Sequence, residues 1–297
     1  MWAGQKIYRY EEIDSTNLEA KRLAQSGAPH GSLVLAKRQS AGRGRRGRSW
    51  ESAKEGNLYF SLLLSPRMEP SKASMLTLVM ALSVAKAVAG VCREAVVCGA
   101  SGAAEGTSEW SQMSMPGIKW PNDIVAGGRK LAGILTEMNL APTSDRADGS
   151  YQVIVGVGIN VVKQEFSEAE VAKKAVSLEE VLGKMAIADT APQGITESGA
   201  DGFELQEKLL ADSMKYFENY YEQFCRDGNL AGLKEEYETF LVNKDRLVRV
   251  LDPQGEYEGK ALGINEVGEL LVELPGDATV RTVYAGEVSV RGIYGYV

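Results

Sequence analysis

Residues 32–64 read SLVLAKRQSAGRGRRGRSWESAKEGNLYFSLLL, and the fold class turns on how the middle of this stretch is taken. Gly42-Arg43-Gly44-Arg45-Arg46-Gly47 satisfies the spacing GxGxxG, the phosphate-binding fingerprint of dinucleotide folds. That fingerprint must open straight into an apolar helix, with an acidic ribose partner ~20 residues on. Here Arg48-Ser49-Trp50-Glu51-Ser52 follows, then a Gly56-Asn57 turn and a second apolar run of strand length, Leu58–Leu64. With Ser32–Lys37 as the first run, the segment is a strand–loop–strand unit, and the Rossmann reading fails on context. Glycines let backbone amides approach an anion, and guanidinium forks bind phosphate oxygens in pairs. Four arginines in the six residues 43–48 also repel one another. The loop is therefore expected to be disordered when empty and to order over a phosphate. Taken alone, a solvated basic loop or an RNA contact fits the segment as well.

Working outward, Ile7–Tyr10 alternates like a short strand. Asp14-Ser15-Thr16-Asn17 offers helix caps, with Thr16 and Glu19 spaced as a capping box, and Gly27 ends the helix that follows. Pro70–Val91 predicts a long helix with Met75, Leu78, Val79, Leu82 and Val88 near one face. Arg129–Met138 and Tyr151–Ile159 predict strands, and Ser177–Ala188, Phe203–Cys225 and Leu230–Leu241 predict helices. Residues 99–116 and 139–150 are polar and read as inserted loops. Composition changes near Val242. From Arg246 onward LVRVL, EYEGKALGI, ELLVELP and TVRTVYAGEVSVR are separated by turn residues, the pattern of a small β-barrel or compact antiparallel sheet. The expected division is a body of residues 1–241 and a β-module of residues 242–297.

Bulk properties narrow the chemistry. A net charge of −7 over 297 residues disfavours non-specific nucleic-acid binding, so a local cation cluster suggests a specific anionic ligand. No apolar run reaches the roughly 18 residues of a membrane span. Met75–Val91, broken by Thr77, Ser83 and Lys86, reads as a buried helix. The first residues lack a secretory signal, and a cytoplasmic protein is expected. Cys92, Cys98 and Cys225 have no metal-ligand spacing and read as buried thiols. One histidine, His30, makes Ser-His-Asp, Cys-His and multi-histidine zinc chemistry unsuitable readings. The work falls to arginine, lysine, carboxylates and backbone amides.

Lys119-Trp120-Pro121-Asn122-Asp123 ends a strand and projects a carboxylate from a turn. A hairpin through Gly127-Gly128 returns Lys130 towards Asp123, as an ordinary surface hairpin also could. Gly133, inside an apolar strand, suggests a close approach by a ligand or backbone. Gly156 and Gly158 bare one face of Val153–Ile159, which suits a floor for a flat ligand or a tight strand crossing.

Together these segments resemble the biotin protein ligases. Ser15-Thr16-Asn17, Gln39, the GRGRRGR loop with Trp50, KWPND at 119–123, RKLAGIL at 129–135 and Gly158-Ile159-Asn160 appear in the family's order. The resemblance implies an α+β fold: a mixed sheet flanked by helices, akin to class II aminoacyl-tRNA synthetases, plus a small C-terminal β-barrel. It implies ATP-dependent activation of biotin to biotinyl-5'-AMP, then transfer to a lysine of a biotin carboxyl carrier domain. A lipoate or octanoyl ligase shares the fold but lacks this Gly/Arg loop; a biotin sensor would leave Lys130 and Asp123 without chemistry.

By position, Ser15, Thr16, Asn17 and Gln39 resemble the biotin-head residues, whose hydroxyls and amides match the ureido group. Gly42, Arg43, Gly44 and Arg45 correspond to the loop closing over biotin and adenylate, with Gly133 also at the biotin. Arg46 and Arg48 are expected to help hold phosphate, and Trp50 to cover the adenylate. Lys130 matches the lysine meeting the biotin carboxylate and the α-phosphate, and Asp123 the residue orienting the acceptor lysine. With Arg45 they form the expected catalytic set, while Asn122 and Asn160 are further nucleotide contacts. Mg²⁺ is expected on the triphosphate, with ligands unassigned. The signature begins by residue 13, leaving no room for an N-terminal helix-turn-helix, so a monofunctional type without DNA or membrane partners is expected. Residues 99–116, 139–150 and 163–227 look longer than a minimal member needs.

Overall fold

A computed structural model describes residues 2–52, 55–99, 115–139, 151–185, 200–253, 255–276, 279–285 and 289–292. Strands β1 (Ile7–Ile13), β2 (Leu33–Gln39), β3 (Leu58–Leu64), β4 (Gly117–Lys119), β5 (Asp123–Ala126), β6 (Arg129–Asn139) and β7 (Gln152–Ile159) form one sheet. Its order is β1-β2-β3-β7-β6-β5-β4, with β1–β2 parallel and the other neighbours antiparallel, so the sheet is mixed as expected. The strand–loop–strand reading of residues 32–64 holds: β2 and β3 are sheet neighbours, Leu33 opposite Leu62.

The alternation of β7 divides the molecule into layers. Val153, Val155, Val157 and Ile159 point into the main core, where α2 (Leu76–Gly99) contributes Leu76, Val79, Met80 and Val84. Ile154 points to the opposite face and packs with Ala20 and Ala24 of α1 (Thr16–Gln25). A strand covered on both faces reads as one continuous apolar run, which is why its sequence shows no polar alternation. Alanine at positions 20 and 24 lets α1 lie close to the sheet. The same face of β7 carries Gly156 and Gly158, so a cleft opens beyond the first turn of α1.

Short helices α3 (Ala169–Lys174) and α4 (Leu178–Met185) precede α5 (Ala200–Asp227) and α6 (Ala231–Phe240). Met214, Phe217, Tyr221 and Phe224 of α5 join the α2 core. Helix Pro70–Ala95 is long and apolar enough to cross a membrane by composition, and 89% of that apolar window is buried within the protein. Strands β8 (Leu247–Leu251), β9 (Tyr257–Ile264), β10 (Leu270–Glu273), β11 (Val280–Val283) and β12 (Ser289–Gly292) form a second, antiparallel sheet, order β11-β10-β9-β8-β12. Closure of this sheet into a barrel is not among the described pairings.

Several local expectations need correction. The capping box does not form: Ser15, not Thr16, occupies the N-cap, without a side-chain cap bond. Thr16 instead turns to Gln39. Residues 70–75 are a 3₁₀ turn, and the α-helix starts only at Leu76. Cys92 is buried as expected, but Cys225 is exposed on α5. His30 has a structural position: its Nδ1 accepts the Ser65 amide at 3.0 Å, and its ring stacks near Trp2 and Tyr221. Most of the polar stretches 99–116, 139–150 and 189–201 lie outside the described residues, as does Ala188.

Candidate active site

A cleft opens over the glycine-bearing face of β7, lined among others by Thr16, Asn17, Arg43, Arg45, Trp50 and Lys130. Its inner end is lined by uncharged side chains in one hydrogen-bonded set, with the Glu137 carboxylate outside the lining as a partner of Asn17. Thr16 donates to Gln39 Oε1 from its amide at 2.8 Å and from its hydroxyl at 3.1 Å. The Ser61 hydroxyl lies 2.6 Å from Asn17 Oδ1 and 2.8 Å from Thr16 Oγ1. Asn17 Nδ2 donates to Leu135 O at 3.3 Å and to Glu137 Oε2 at 2.8 Å. Only glycine fits beneath this amide, because a Cβ on residue 156 would sit 1.9 Å from Asn17 Oδ1.

Two residues further along β7, roughly 6–7 Å on a strand, Gly158 pairs across the sheet with Gly133. The indole of Trp50 rests on this pair: a Cβ would meet it at 2.6 Å from Gly158 and 2.8 Å from Gly133. The floor inferred for a flat ligand thus carries the protein's own aromatic ring and the Asn17 amide. Lys130 Nζ stands 5.3 Å from the Trp50 ring centroid, a cation–π distance, and 2.7 Å from Asp123 Oδ1. The hairpin through Gly127-Gly128 returns Lys130 to Asp123 as expected; both glycines have positive φ, 54° and 73°. Asn122 braces the carboxylate, donating from Nδ2 to Asp123 Oδ1 at 3.2 Å.

The Gly/Arg segment is a hairpin, the ordered form expected of the loop. Trp50 N donates to Gly42 O at 2.9 Å, Arg43 bridges Ser49, and Gly44 N donates to Arg48 O at 2.7 Å. Two of its cations are neutralised or hydrogen-bonded within the protein, which offsets their mutual repulsion. Arg43 pairs with Glu137 at 3.1 Å, and Arg45 donates to Asn122 Oδ1 at 2.8 Å and to the carbonyl of Ala285. Burial presses the Arg45 guanidinium below its ordinary pKa, while Asp123 pulls it back up. Lys119, buried behind the hairpin, is lowered to about 8, first by burial and then by the neighbouring Lys130, Arg291 and Arg48, with Asp123 opposing. A positive field therefore converges around one carboxylate.

Of the residues singled out in the sequence, Ser15, Thr16, Asn17, Gln39, Arg43, Gly44, Arg45, Trp50, Asn122, Lys130 and Gly133 line this cleft. Asp123 joins it through Lys130, and Gly42 closes the hairpin at its edge. Arg46 and Arg48 are exposed and do not line it. Arg46 also takes a left-handed backbone, φ 58°. Asn160 is buried away from it, donating to Val176 O at 3.3 Å. Sequence reasoning missed Ser61, Glu137 and Arg291, and gave Lys119, the first residue of KWPND, no role of its own. Ser61 sits inside an apolar strand as a lone polar residue, and that was the available signal; nothing local marks Glu137, beside Thr136 near the end of β6, or Arg291.

Comparison with known proteins decides the family. The model of the biotin/lipoate A/B protein ligase family matches residues 10–160, and that of the biotin protein ligase C-terminal domain matches residues 245–291. A bifunctional ligase/repressor of Bacillus subtilis is 32% identical over 287 residues, 96% of this chain and 74% of that protein. The chain belongs to the biotin protein ligases. A biotin–[acetyl-CoA-carboxylase] ligase of Paracoccus denitrificans is 37% identical over 148 residues, half of each chain (50% and 51%). The solved biotin protein ligase of Aquifex aeolicus, in complex with biotin and ATP, is 26% identical. It superposes with a TM-score of 0.70 over 97% of this chain and 99% of its own. The matched N-terminal region holds the whole inner cleft and Lys130. The matched C-terminal region brings Ala285 to the biotin ligase loop at Arg45.

Proposed function

We propose that this ligase joins biotin to ATP, forming biotinyl-5'-AMP and pyrophosphate, and then passes the biotinyl group to a lysine of a biotin carboxyl carrier domain. The observation that carries the reading is the junction in one cleft of an uncharged hydrogen-bonding end with a cationic end built on Lys130. Biotin has the matching form: a cyclic urea, an apolar arm and a carboxylate. In the first step the carboxylate oxygen attacks the α-phosphorus, and the bond to the bridging oxygen of pyrophosphate breaks. Lys130, with Arg43 and Arg45 from the hairpin, stabilises charge gathering on the phosphoryl oxygens. Trp50 covers the adenylate and excludes water. In the second step a neutral amine attacks the acyl carbon and AMP leaves. The acceptor lysine starts near pKa ~10.4, so Asp123 serves to orient it and draw off its proton.

Mg²⁺ fits as a companion of the nucleotide. Magnesium sites of this kind use one or two protein carboxylates and fill the rest with phosphate oxygens and water. Among the described residues no group of three His, Cys, Asp or Glu gathers to hold a resident ion. Bound there, Mg²⁺ would screen the triphosphate charge, and Asp123 is the carboxylate at hand.

The test is exchange of labelled pyrophosphate into ATP, followed by mass spectrometry of a carrier domain incubated with enzyme, ATP and biotin. Biotin-dependent exchange and a gain of one biotinyl group are expected. Exchange driven by lipoate and not by biotin would overturn the substrate assignment.

A further inference from the structure

The inner end of the cleft meets one carboxylate, Glu137 on β6, and that carboxylate touches both the head site and the hairpin. Oε2 accepts from Asn17 Nδ2 at 2.8 Å and from Arg43 Nη1 at 3.4 Å, and Oε1 lies 3.1 Å from the same arginine nitrogen. We propose that Glu137 is a positioning residue that fixes the polarity of the Asn17 amide towards the ligand and ties the head site to the Gly/Arg hairpin. The proposal deepens the reading above and rests on it for the identity of the ligand.

The polarity follows from counting donors and acceptors. The two groups on the nitrogen side of Asn17, Leu135 O and Glu137 Oε2, are both acceptors. A flipped amide would set its oxygen against both of them and its nitrogen against the hydroxyl of Ser61. Both Nδ2 protons are therefore committed, and Oδ1 already accepts from Ser61 at 2.6 Å. What Asn17 retains for a ligand is the second lone pair of that oxygen. Gln39 is set the opposite way, since its Oε1 accepts from the Thr16 amide and hydroxyl, which leaves its amide nitrogen to donate. One acceptor and one donor then face the cleft, the complement of an N–H and a carbonyl on a cyclic urea. Without Glu137 the Asn17 amide loses its stronger acceptor and its reason to keep this orientation.

The second contact reaches the Gly/Arg hairpin. Arg43 belongs to the hairpin closed by the Arg43–Ser49 bridge, so a carboxylate shared between Asn17 and Arg43 senses both. The side chains of Glu137 and Arg43 are 30% and 44% exposed, which weakens the ion pair. The amide contact should dominate affinity, and the arginine contact how long the hairpin retains the adenylate.

The experiment measures biotin affinity by titration calorimetry, the KM for ATP in exchange, and the release rate of bound biotinyl-adenylate. Glu137→Ala is expected to weaken biotin by about tenfold or more, the fold-change of a lost charge-assisted hydrogen bond. The KM for ATP should move less than about threefold, a difference worth well under 1 kcal/mol. Glu137→Gln still accepts from Asn17 but carries no charge for Arg43. It should restore biotin affinity while releasing adenylate faster, as Arg43→Gln should also do. Biotin affinity unchanged in Glu137→Ala, or biotin and ATP weakened alike, overturns the proposal and leaves the ligase reading intact. Wild-type protein that neither binds biotin nor exchanges with it overturns both. Should Glu137→Ala not fold, Glu137→Gln decides: faster release with biotin affinity kept supports the coupling, and release at the wild-type rate overturns it.

Discussion

At the scale of single residues, the proposed chemistry rests on Lys130, and its surroundings say what its loss should do. Its ammonium holds Asp123 at 2.7 Å and faces the Trp50 ring. The two side chains are largely buried, 28% and 14% exposed, but Arg45 and Lys119 still face the Asp123 carboxylate once the ammonium is gone, which limits the cost to stability. Asp123 keeps a partner in Asn122 when the lysine is removed. Lys130→Ala should therefore lower biotin-dependent exchange by roughly 10²–10³-fold, the loss of one transition-state donor. Its thermal midpoint should stay near that of the wild type. Exchange rate and melting curve on the same preparations check this, and an undiminished rate would remove Lys130 from the mechanism. Lys130 and Asp123 were legible because two adjacent glycines mark the hairpin that joins them. Asn17 was legible as a site residue, but its polarity was not. In the reading proposed above that depends on Glu137, distant in sequence by 120 positions.

At the scale of elements, apolar runs fixed β3 and β7 closely, because strands buried on both faces leave a continuous signal, while β6 was found from Leu131–Leu135 although it is only partly buried. Helix starts were less legible. Thr16 and Glu19 have capping-box spacing, yet Thr16 is drawn to Gln39 by a cleft that local pattern does not encode. The glycines of β7 were read as room for a ligand, and each makes room first for a protein side chain. Gly156→Ala tests this, because its Cβ would fall 1.9 Å from Asn17 Oδ1 with the amide locked on its other side. The amide must rotate or the strand must shift, so biotin affinity should fall by tenfold or more. Overpacking should also destabilise the fold by about 1–3 kcal/mol. Calorimetric titration and denaturant unfolding of Gly156→Ala read the two effects. Full affinity in that variant would mean that Asn17 does not depend on the bare strand.

At the scale of the molecule, the change of composition near Val242 located the second sheet, but not what joins it to the first. The join runs through Trp120, within the motif that carries Asp123. Its backbone N–H donates to Asn243 Oδ1 at 2.8 Å, and its indole N–H to Gly268 O at 3.0 Å, 148 positions away. Around it a single cluster of buried side chains includes Leu78, Val79 and Trp120 together with Ile264, Leu270 and Val272. The sheets thus share one core, and Arg45 adds a contact from the hairpin to Ala285. Trp120→Phe keeps most of the ring and deletes the indole bond, leaving the Gly268 carbonyl buried without its donor. The expected loss is about 1–3 kcal/mol, a fall in thermal midpoint of roughly 2–6 °C. Because the apolar packing is continuous, calorimetry should still record one transition in wild type and variant alike. A trace that splits into two would mean that the second sheet folds on a core of its own, with Trp120 a contact between separate units.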